Sequence, residues 1–122
     1  MSTHLQGIIK KNLSLKVNGS LWIECANKKY FGPGPMELLE RIRDTGSISS
    51  AARKMGMSYK KSWDIIKRLN KYASRPLVET RTGGEKGGGA LISTEAEQLI
   101  KQYKNLRKKF ELFLEKETRF LI

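Results

Sequence analysis

The sequence predicts a mainly α-helical fold with small β-sheets (an α+β fold), and three observations lead to this prediction. Two short helical patterns flank Gly56-Met57-Ser58, where glycine can end one helix and serine can begin the next. A strand, a glycine-rich loop and a returning strand follow directly. Residues 94–121 then form one long helical pattern. A helix-turn-helix followed by such a hairpin is the arrangement of a winged helix-turn-helix.

Length and charge limit the possible functions. A chain of 122 residues is expected to form one domain, over residues 1–122, with one modest core. Its net charge of +12 attracts polyanions such as DNA, RNA or anionic lipid. More than half of this excess lies in residues 47–93, which hold ten cations and three anions. Cys25 has no disulfide partner, and no apolar run approaches a membrane span of about 18 residues. We therefore expect a soluble, cytoplasmic protein.

Residues 12–31 predict a β-hairpin region. Apolar side chains alternate with polar ones from Leu13 to Val17 and again from Leu21 to Cys25. Asn18-Gly19, which separates the two runs, is a strong hairpin signal. A further turn can lead into a short strand at Tyr30-Phe31. We interpret this region as a small sheet that covers the core or takes part in dimerisation.

Three helices are predicted within the helix-turn-helix and wing region, residues 35–93. The first begins near Pro35 and ends at Gly46. Either Ser47 or Ser49 can cap the second, short helix. The third covers residues 58–74 and ends before a proline. We expect this third helix to be the recognition helix, which enters the major groove of DNA.

The recognition helix has a strongly basic outward face. Its opposite face is apolar, and Trp63 is expected to anchor the core there. Asp64 either accepts a hydrogen bond from cytosine N4 or pairs with Arg68 at i, i+4. The residues of this helix expected to contact DNA are Ser58, Tyr59, Lys60, Lys61, Asp64, Lys67 and Arg68.

The wing is predicted from two strands, at residues 77–81 and 90–92, around a loop at residues 82–89. Glycine allows the loop backbone to lie close to a sugar-phosphate chain. The loop lacks the lysine and the following helix of a nucleotide-binding loop, so a nucleotide cofactor is not expected. The residues expected to contact phosphate or the minor groove are Arg81, Thr82 and Lys86.

Residues 94–121 predict one helix that begins with a capping box of Thr94 and Glu97. At 1.5 Å per residue the helix is about 42 Å long, which exceeds what a domain of this size buries alone. Its apolar residues recur at alternating spacings of three and four, which predicts a homodimer. Packing on the wing and first helix is the alternative for residues 96–103. The predicted dimerisation residues are Leu99, Tyr103, Leu106, Phe110, Phe113 and Phe120.

Catalytic and metal-binding chemistry is poorly supplied. His4 is the only histidine and lies near the N terminus, so no Ser-His or Cys-His pair is expected. Carboxylate pairs occur only on helix faces that should be exposed to solvent. We predict no enzyme activity, no catalytic residue, no metal site and no cofactor.

The stretches GSISSAARKMGMSYKKSWDIIKRLN and PLVETRTGGEKGGGALIST resemble the N-terminal winged-helix domain of the ModE family of molybdate-dependent transcriptional regulators. That domain is itself similar to the LysR-type DNA-binding domain. The likeness covers about Asn12 to Lys116. It is specific in the wing, at Thr82-Gly83-Gly84 and Gly87-Gly88-Gly89, and where Ser58-Tyr59-Lys60 leads into Trp63-Asp64. It implies a dimeric repressor or activator. ModE regulators also carry C-terminal oxyanion-binding domains, and this chain ends at Ile122, so molybdate binding is not expected.

The predicted function is a sequence-specific transcriptional regulator that binds double-stranded DNA as a homodimer. Its site would be roughly palindromic, with half-sites about one helical turn apart. One alternative is a sequence-tolerant architectural DNA- or RNA-binding protein. Another is a protein-interaction module that uses the C-terminal helix.

Overall fold

The computed structural model describes residues 5–81 and 89–121, and within them it confirms the α+β fold class. A short 3₁₀ turn at Leu5–Gly7 precedes the other elements. The helices are α1 (Pro33–Thr45), α2 (Ile48–Lys54), α3 (Tyr59–Tyr72) and α4 (Thr94–Leu121). The strands are β1 (Ile23–Cys25), β2 (Lys28–Phe31), β3 (Val78–Arg81) and β4 (Gly89–Ile92). The order of helices and wing strands matches the predicted order.

The chain divides into two compact units. The central unit is Trp22–Tyr103, and the terminal unit consists of residues 1–21 and 104–122. Helix α4 begins in the central unit and continues into the terminal unit. The single domain over residues 1–122 stays a prediction, because each unit is described by itself.

The first β-hairpin lies later in the chain than predicted. Strands β1 and β2 pair antiparallel around a turn at Ala26 and Asn27. Both turn residues have left-handed backbone, with φ of 54° and 63°. Two such residues form the turn whose twist matches that of the flanking strands. The hairpin predicted around Asn18-Gly19 is therefore wrong, whereas the strand predicted at Tyr30-Phe31 is confirmed.

In the terminal unit, the segment before β1 runs without strand pairing and contacts α4. The Val17 amide donates to Thr118 Oγ1 at 2.9 Å. A Cβ at Gly19 would lie 3.2 Å from Cζ of Phe110, so the backbone there lies against the ring. Leu15 and Val17 are half-buried while their neighbours are exposed. The alternation thus correctly indicated one-sided burial, but the covering element is a helix rather than a second strand.

The central unit contains an apolar core to which every one of its helices contributes. The Phe31 and Tyr103 rings meet edge-on at 90°, with centroids 5.3 Å apart, an arrangement favoured by the ring quadrupoles. Small side chains let α2 and α3 approach each other, since Ala51 and Ser62 are fully buried. The large side chains that are fully buried are Phe31, Leu38, Leu39, Ile42, Ile66, Leu69 and Tyr103.

Helix α4 begins at Thr94, and the residue that caps it is Ser93, one residue before the predicted cap. The Ser93 hydroxyl accepts from the amide three residues later at 3.2 Å, and the Ser93 amide donates to the Leu77 carbonyl at 2.9 Å. The predicted capping box with Thr94 as the cap is therefore wrong. Glu97 instead binds the Arg43 guanidinium of α1 at 3.3 Å. Ser93 is the cap because its backbone is already held at the start of the wing.

Gly46 ends α1 in the left-handed conformation, with φ of 70°. Although nothing lies within 4 Å of a Cβ at this position, a side chain there is strained by the backbone itself. We expect Gly46→Ala to lower the free energy of unfolding by about 1 kcal/mol, measured by urea denaturation. Gly34→Ala is the matched control, because its Cβ also meets nothing and its backbone is helical. An equal loss in both variants would contradict the assigned cause.

Candidate DNA-binding surface

Helices α2 and α3 form a helix-turn-helix around Gly56. Gly56 has left-handed backbone with φ of 66°, which lets the chain reverse between the helices. Ser58 caps α3, as predicted: its hydroxyl oxygen accepts a hydrogen bond from the Lys61 amide at 3.0 Å. Of the two serines proposed as the cap of α2, Ser47 is the cap. Its hydroxyl oxygen accepts a hydrogen bond from the Ser50 amide at 3.1 Å. Both caps fix the direction in which their helix starts.

The face of α3 that points away from the core carries five cations and one carboxylate, that of Asp64. At 3.6 residues per turn, Lys60, Lys67 and Lys71 fall within about 40° of one another and form one stripe. On the opposite face, Ile66 and Leu69 are buried in the core. The charged side chains of α3, all of them exposed, are Lys60, Lys61, Asp64, Lys67, Arg68 and Lys71.

The two arginines of α1 are paired with carboxylates. In α1, Arg41 binds Glu37 at 2.7 Å. Arg43 contacts Asp44 at 3.2 Å and Glu97 at 3.3 Å, and its hydrogen bond to the Asp44 carboxylate is the main cause that raises its pKa. Among the described residues, none of the cations of α3 lies within 4.0 Å of a carboxylate oxygen. An external polyanion is therefore the natural counter-charge for α3.

Asp64 does not form the alternative ion pair with Arg68. The Arg68 guanidinium donates instead to the Lys29 backbone carbonyl at 3.2 Å, away from the carboxylate. The Asp64 side chain is exposed, and hydrogen bonding to a base stays a prediction for it.

The base of the wing is tied to α1. Strands β3 and β4 pair antiparallel, with Arg81 opposite Gly89 at the end nearest the loop. The Ala90 amide donates to the Gly46 carbonyl at 2.9 Å, which joins β4 to the end of α1. Arg81 is exposed. The other two predicted wing contacts, Thr82 and Lys86, lie outside the described residues.

Asn70 connects α3 to the wing, a contact that was not predicted from the sequence. Its Oδ1 accepts from the amides of Leu77 (2.8 Å) and Val78 (3.2 Å), and its Nδ2 donates to the Val78 carbonyl at 3.1 Å. One side chain thus holds the recognition helix and the first wing strand in a single arrangement. An amide side chain near a helix end was the only available signal, since such groups often bind nearby backbone.

A cleft of about 330 Å³ opens between the starts of α2 and α3 and the wing. Trp63 lines this cleft and is half-buried, so the prediction that it anchors the core is wrong. Its ring stands edge-on to Tyr59, with centroids 6.2 Å apart. Hydroxyl groups and one guanidinium, which suit phosphate oxygens, also line the cleft: Ser47, Ser49, Thr80 and Arg81.

The residues predicted for dimerisation separate into two groups. In the central unit, Tyr103 is fully buried against Phe31 and Leu99 is half-buried. Tyr103 therefore offers no surface to a second chain. In the terminal unit, Phe110 is half-buried beside Gly19. The large apolar side chains of α4 that are more than two-fifths exposed are Leu106 (43%), Leu112 (57%), Phe113 (56%) and Phe120 (61%).

Other kinds of site are not formed by the residues that the structure describes. Residues 5–81 and 89–121 contain no group of three or more His, Cys, Asp or Glu side chains arranged to hold a metal ion. No helix within these ranges has the length and apolar character needed to cross a membrane.

A capped pair of helices around a tight turn, a basic exposed α3 and a two-stranded wing define a winged helix-turn-helix protein. The family model for bacterial regulatory helix-turn-helix proteins of the lysR family matches residues 35–96, from α1 to the start of α4. The chain belongs to this family of bacterial regulatory helix-turn-helix proteins.

Three relatives agree with this assignment. The transcriptional regulator ModE of Haemophilus influenzae is 40% identical over 83 residues, which are 68% of this chain and 32% of that protein. The DNA-binding transcriptional dual regulator ModE of Escherichia coli is 39% identical over 83 residues, with the same coverage. The molybdenum-pterin-binding protein MopB of Rhodobacter capsulatus is 43% identical over 72 residues, 59% of this chain and 27% of that protein. The chain spans about a third of the length of the curated relatives it matches, and the predicted resemblance to the ModE family is confirmed.

Proposed function

We propose that the protein recognises a specific DNA sequence as a homodimer, with α3 in the major groove and the wing on phosphate or in the minor groove. The exposed cationic face of α3 carries this proposal. Because Ser62, Ile66 and Leu69 are buried on its other face, α3 presents the exposed side chains in one fixed direction. The proposed DNA contacts are Ser58, Tyr59, Lys60, Lys61, Asp64, Lys67 and Arg68 on α3, with Arg81, Thr82 and Lys86 on the wing.

The proposed contacts have two roles, which depend on where each residue lies on α3 or on the wing. Lys60 and Lys61 lie in the first turn, the part of a recognition helix that reaches base edges. Ser58 accepts an amide as the cap, and its hydroxyl hydrogen is left to donate to a phosphate. Arg81 lies at the outer end of β3, where contacts fix the position of the protein on the duplex. Base readout is therefore assigned to the start of α3, and positioning to the wing.

The homodimer is supported by the exposed apolar side chains of the terminal unit. Leu106 and Phe113 are one heptad apart and lie on one face of α4. Their exposed apolar area suits a matching helix, and Phe120 continues the same stripe. We leave Tyr103 out of this interface because it is fully buried in the central unit. A two-fold pair of recognition helices fits a palindromic site.

We expect this DNA-binding role to be carried out in the cytoplasm. Molybdenum binding, which the names of some relatives state, is not proposed for this chain, because the chain spans about a third of their length.

Selection of genomic DNA fragments by the purified protein, followed by sequencing, tests sequence recognition. We expect one enriched inverted repeat with half-sites about one helical turn apart. Uniform recovery of all fragments would overturn sequence recognition and favour the architectural alternative.

Substitution of Lys60 and Arg81 then separates the two assigned roles. We expect Lys60→Ala to relax the base preference at one position of the half-site. The difference in binding free energy between the preferred base and the other bases should fall there by about 1–3 kcal/mol. Arg81→Ala should weaken binding to all duplexes similarly and lower the slope of log affinity against log salt by about 1. Fluorescence anisotropy over a salt series measures both effects. Identical behaviour of the two variants on every sequence would contradict the division of roles.

A further inference from the structure

A second basic surface, apart from the first turn of α3 and from the wing, lies between the β1–β2 hairpin and the C-terminal half of α3. The two elements enclose a groove of about 250 Å³. No acidic side chain is among the described residues that line it. The cations that line it are Lys28 and Lys29 from the hairpin and Lys67, Arg68 and Lys71 from α3. We refer to it as the hairpin groove.

The hairpin groove has a fixed shape because hydrogen bonds join its two walls. The Tyr30 hydroxyl donates to the Leu69 carbonyl at 2.6 Å, and the Arg68 guanidinium donates to the Lys29 carbonyl at 3.2 Å. Burial raises the pKa of the Tyr30 hydroxyl above its ordinary value. The Tyr30 ring also meets Tyr72 edge-on, with centroids 6.2 Å apart. The hairpin cations therefore keep their place relative to α3.

The charges in the hairpin groove are not neutralised by the described part of the chain. None of its five cations lies within 4.0 Å of a described carboxylate oxygen, in contrast to Arg41 and Arg43 of α1. Lys29 lies over the Trp22 ring at 4.9 Å, and Lys71 over the Tyr72 ring at 5.4 Å. Cation–π contacts orient an ammonium group but leave its charge in place. A fixed cluster of like charges is complementary to a polyanion.

The length of α3 places the hairpin groove near the DNA backbone when the first turn of α3 lies in the major groove. Fourteen residues make a helix of about 21 Å, whereas the major groove of B-DNA is about 12 Å wide. When the first turn of α3 enters the groove, its C-terminal half therefore reaches the groove edge, where the phosphates lie. Lys67 and Lys71 continue the stripe of Lys60 towards that edge. The hairpin groove would then face the backbone of the same duplex.

We propose that the hairpin groove binds the phosphodiester backbone of the duplex that α3 reads, as a third contact of each protomer beside the recognition helix and the wing. This inference rests on the proposed function. It adds Lys28, Lys29 and Lys71 to the DNA-binding residues, and it gives the hairpin a role beyond covering the core.

The first test replaces two groove cations that have no part in the proposed base or wing contacts. In Lys28→Ala/Lys71→Ala both replaced side chains are exposed, so thermal denaturation should match that of the unmodified protein. We expect the slope of log affinity against log salt to fall by about 1.8, and affinity at 0.1 M salt to fall by about eightfold per lost contact. Lys101→Ala/Lys108→Ala removes the same charge from exposed positions of α4 and should leave the slope within about 0.5 of the unmodified value.

The second test uses Cys25, the single cysteine of the chain, which is half-exposed in the hairpin groove. We expect a saturating 30-base-pair duplex to slow the alkylation of Cys25 by N-ethylmaleimide at least fivefold. Mass spectrometry measures the rate of alkylation. In Lys28→Ala/Lys71→Ala, a saturating concentration of the same duplex should slow the alkylation of Cys25 less than twofold.

The outcomes separate this inference from the proposed function. If Lys60→Ala and Arg81→Ala change DNA binding as expected but Lys28→Ala/Lys71→Ala behaves like its control, the hairpin-groove contact is overturned and the proposed function stands. Unchanged alkylation of Cys25 in saturated complexes has the same meaning. If the unmodified protein does not bind duplex DNA, both proposals fail.

Discussion

If the proposed homodimer forms through α4, replacing Leu106 and Phe113 with serine is expected to convert it into a monomer. The two side chains lie one heptad apart on α4 and are 43% and 56% exposed. Their apolar area is the main surface that the terminal unit offers to a second copy, and serine removes it. Sedimentation velocity should show the protomer mass. Affinity for an inverted repeat should fall by about 10²–10⁴-fold, because the second half-site no longer binds intramolecularly.

The matched control is Lys108→Ser/Glu115→Ser. These two residues are also seven apart and exposed, and they lie on roughly the opposite side of α4 from Leu106 and Phe113. We expect this variant to remain a dimer with unchanged DNA affinity. Thermal denaturation at a concentration where both proteins are monomeric should agree, since neither change opens a cavity in the core. A dimer that persists in Leu106→Ser/Phe113→Ser would exclude this face of α4 as the interface.

The substitution Asn70→Leu is expected to cause the second large effect, on stability and on the wing. It removes three hydrogen bonds and leaves the Leu77 amide, which lies in a buried residue, without its 2.8 Å acceptor. Unsatisfied buried amides are costly, so we expect a loss of about 2–4 kcal/mol in the free energy of unfolding. For a domain of this size the melting temperature should fall by about 10–20 °C in calorimetry.

Asn70→Asp and Asn105→Leu make this prediction specific. The aspartate keeps an acceptor for the two amides but loses the donor to the Val78 carbonyl, so we expect an intermediate loss. Asn105 is an exposed residue of α4, and leucine there should change the melting temperature little. A larger loss for Asn105→Leu than for Asn70→Leu would refute the role of Asn70 in holding the wing.

Local features were the most predictable from the sequence. Gly46 as the end of α1 and Ser58 as the cap of α3 depend on residues within three or four positions, and both are confirmed. The cationic face of α3 follows from helical periodicity once the helix is placed. In contrast, the hairpin predicted around Asn18-Gly19 does not form. The alternation of apolar and polar residues indicates which side of a segment is buried but not which element covers it.

The sequence by itself determined the class of this protein: its helices, its wing strands, the place of its excess charge and its resemblance to a family. Each of these depends on short-range pattern or on composition. The tertiary structure decided which side chains meet across the chain. It buried Tyr103 against Phe31, turned Trp63 towards a cleft, joined Asn70 to the wing and placed Lys28 and Lys71 along one groove. Contacts between residues distant in sequence follow from packing of the whole core, which no local spacing encodes.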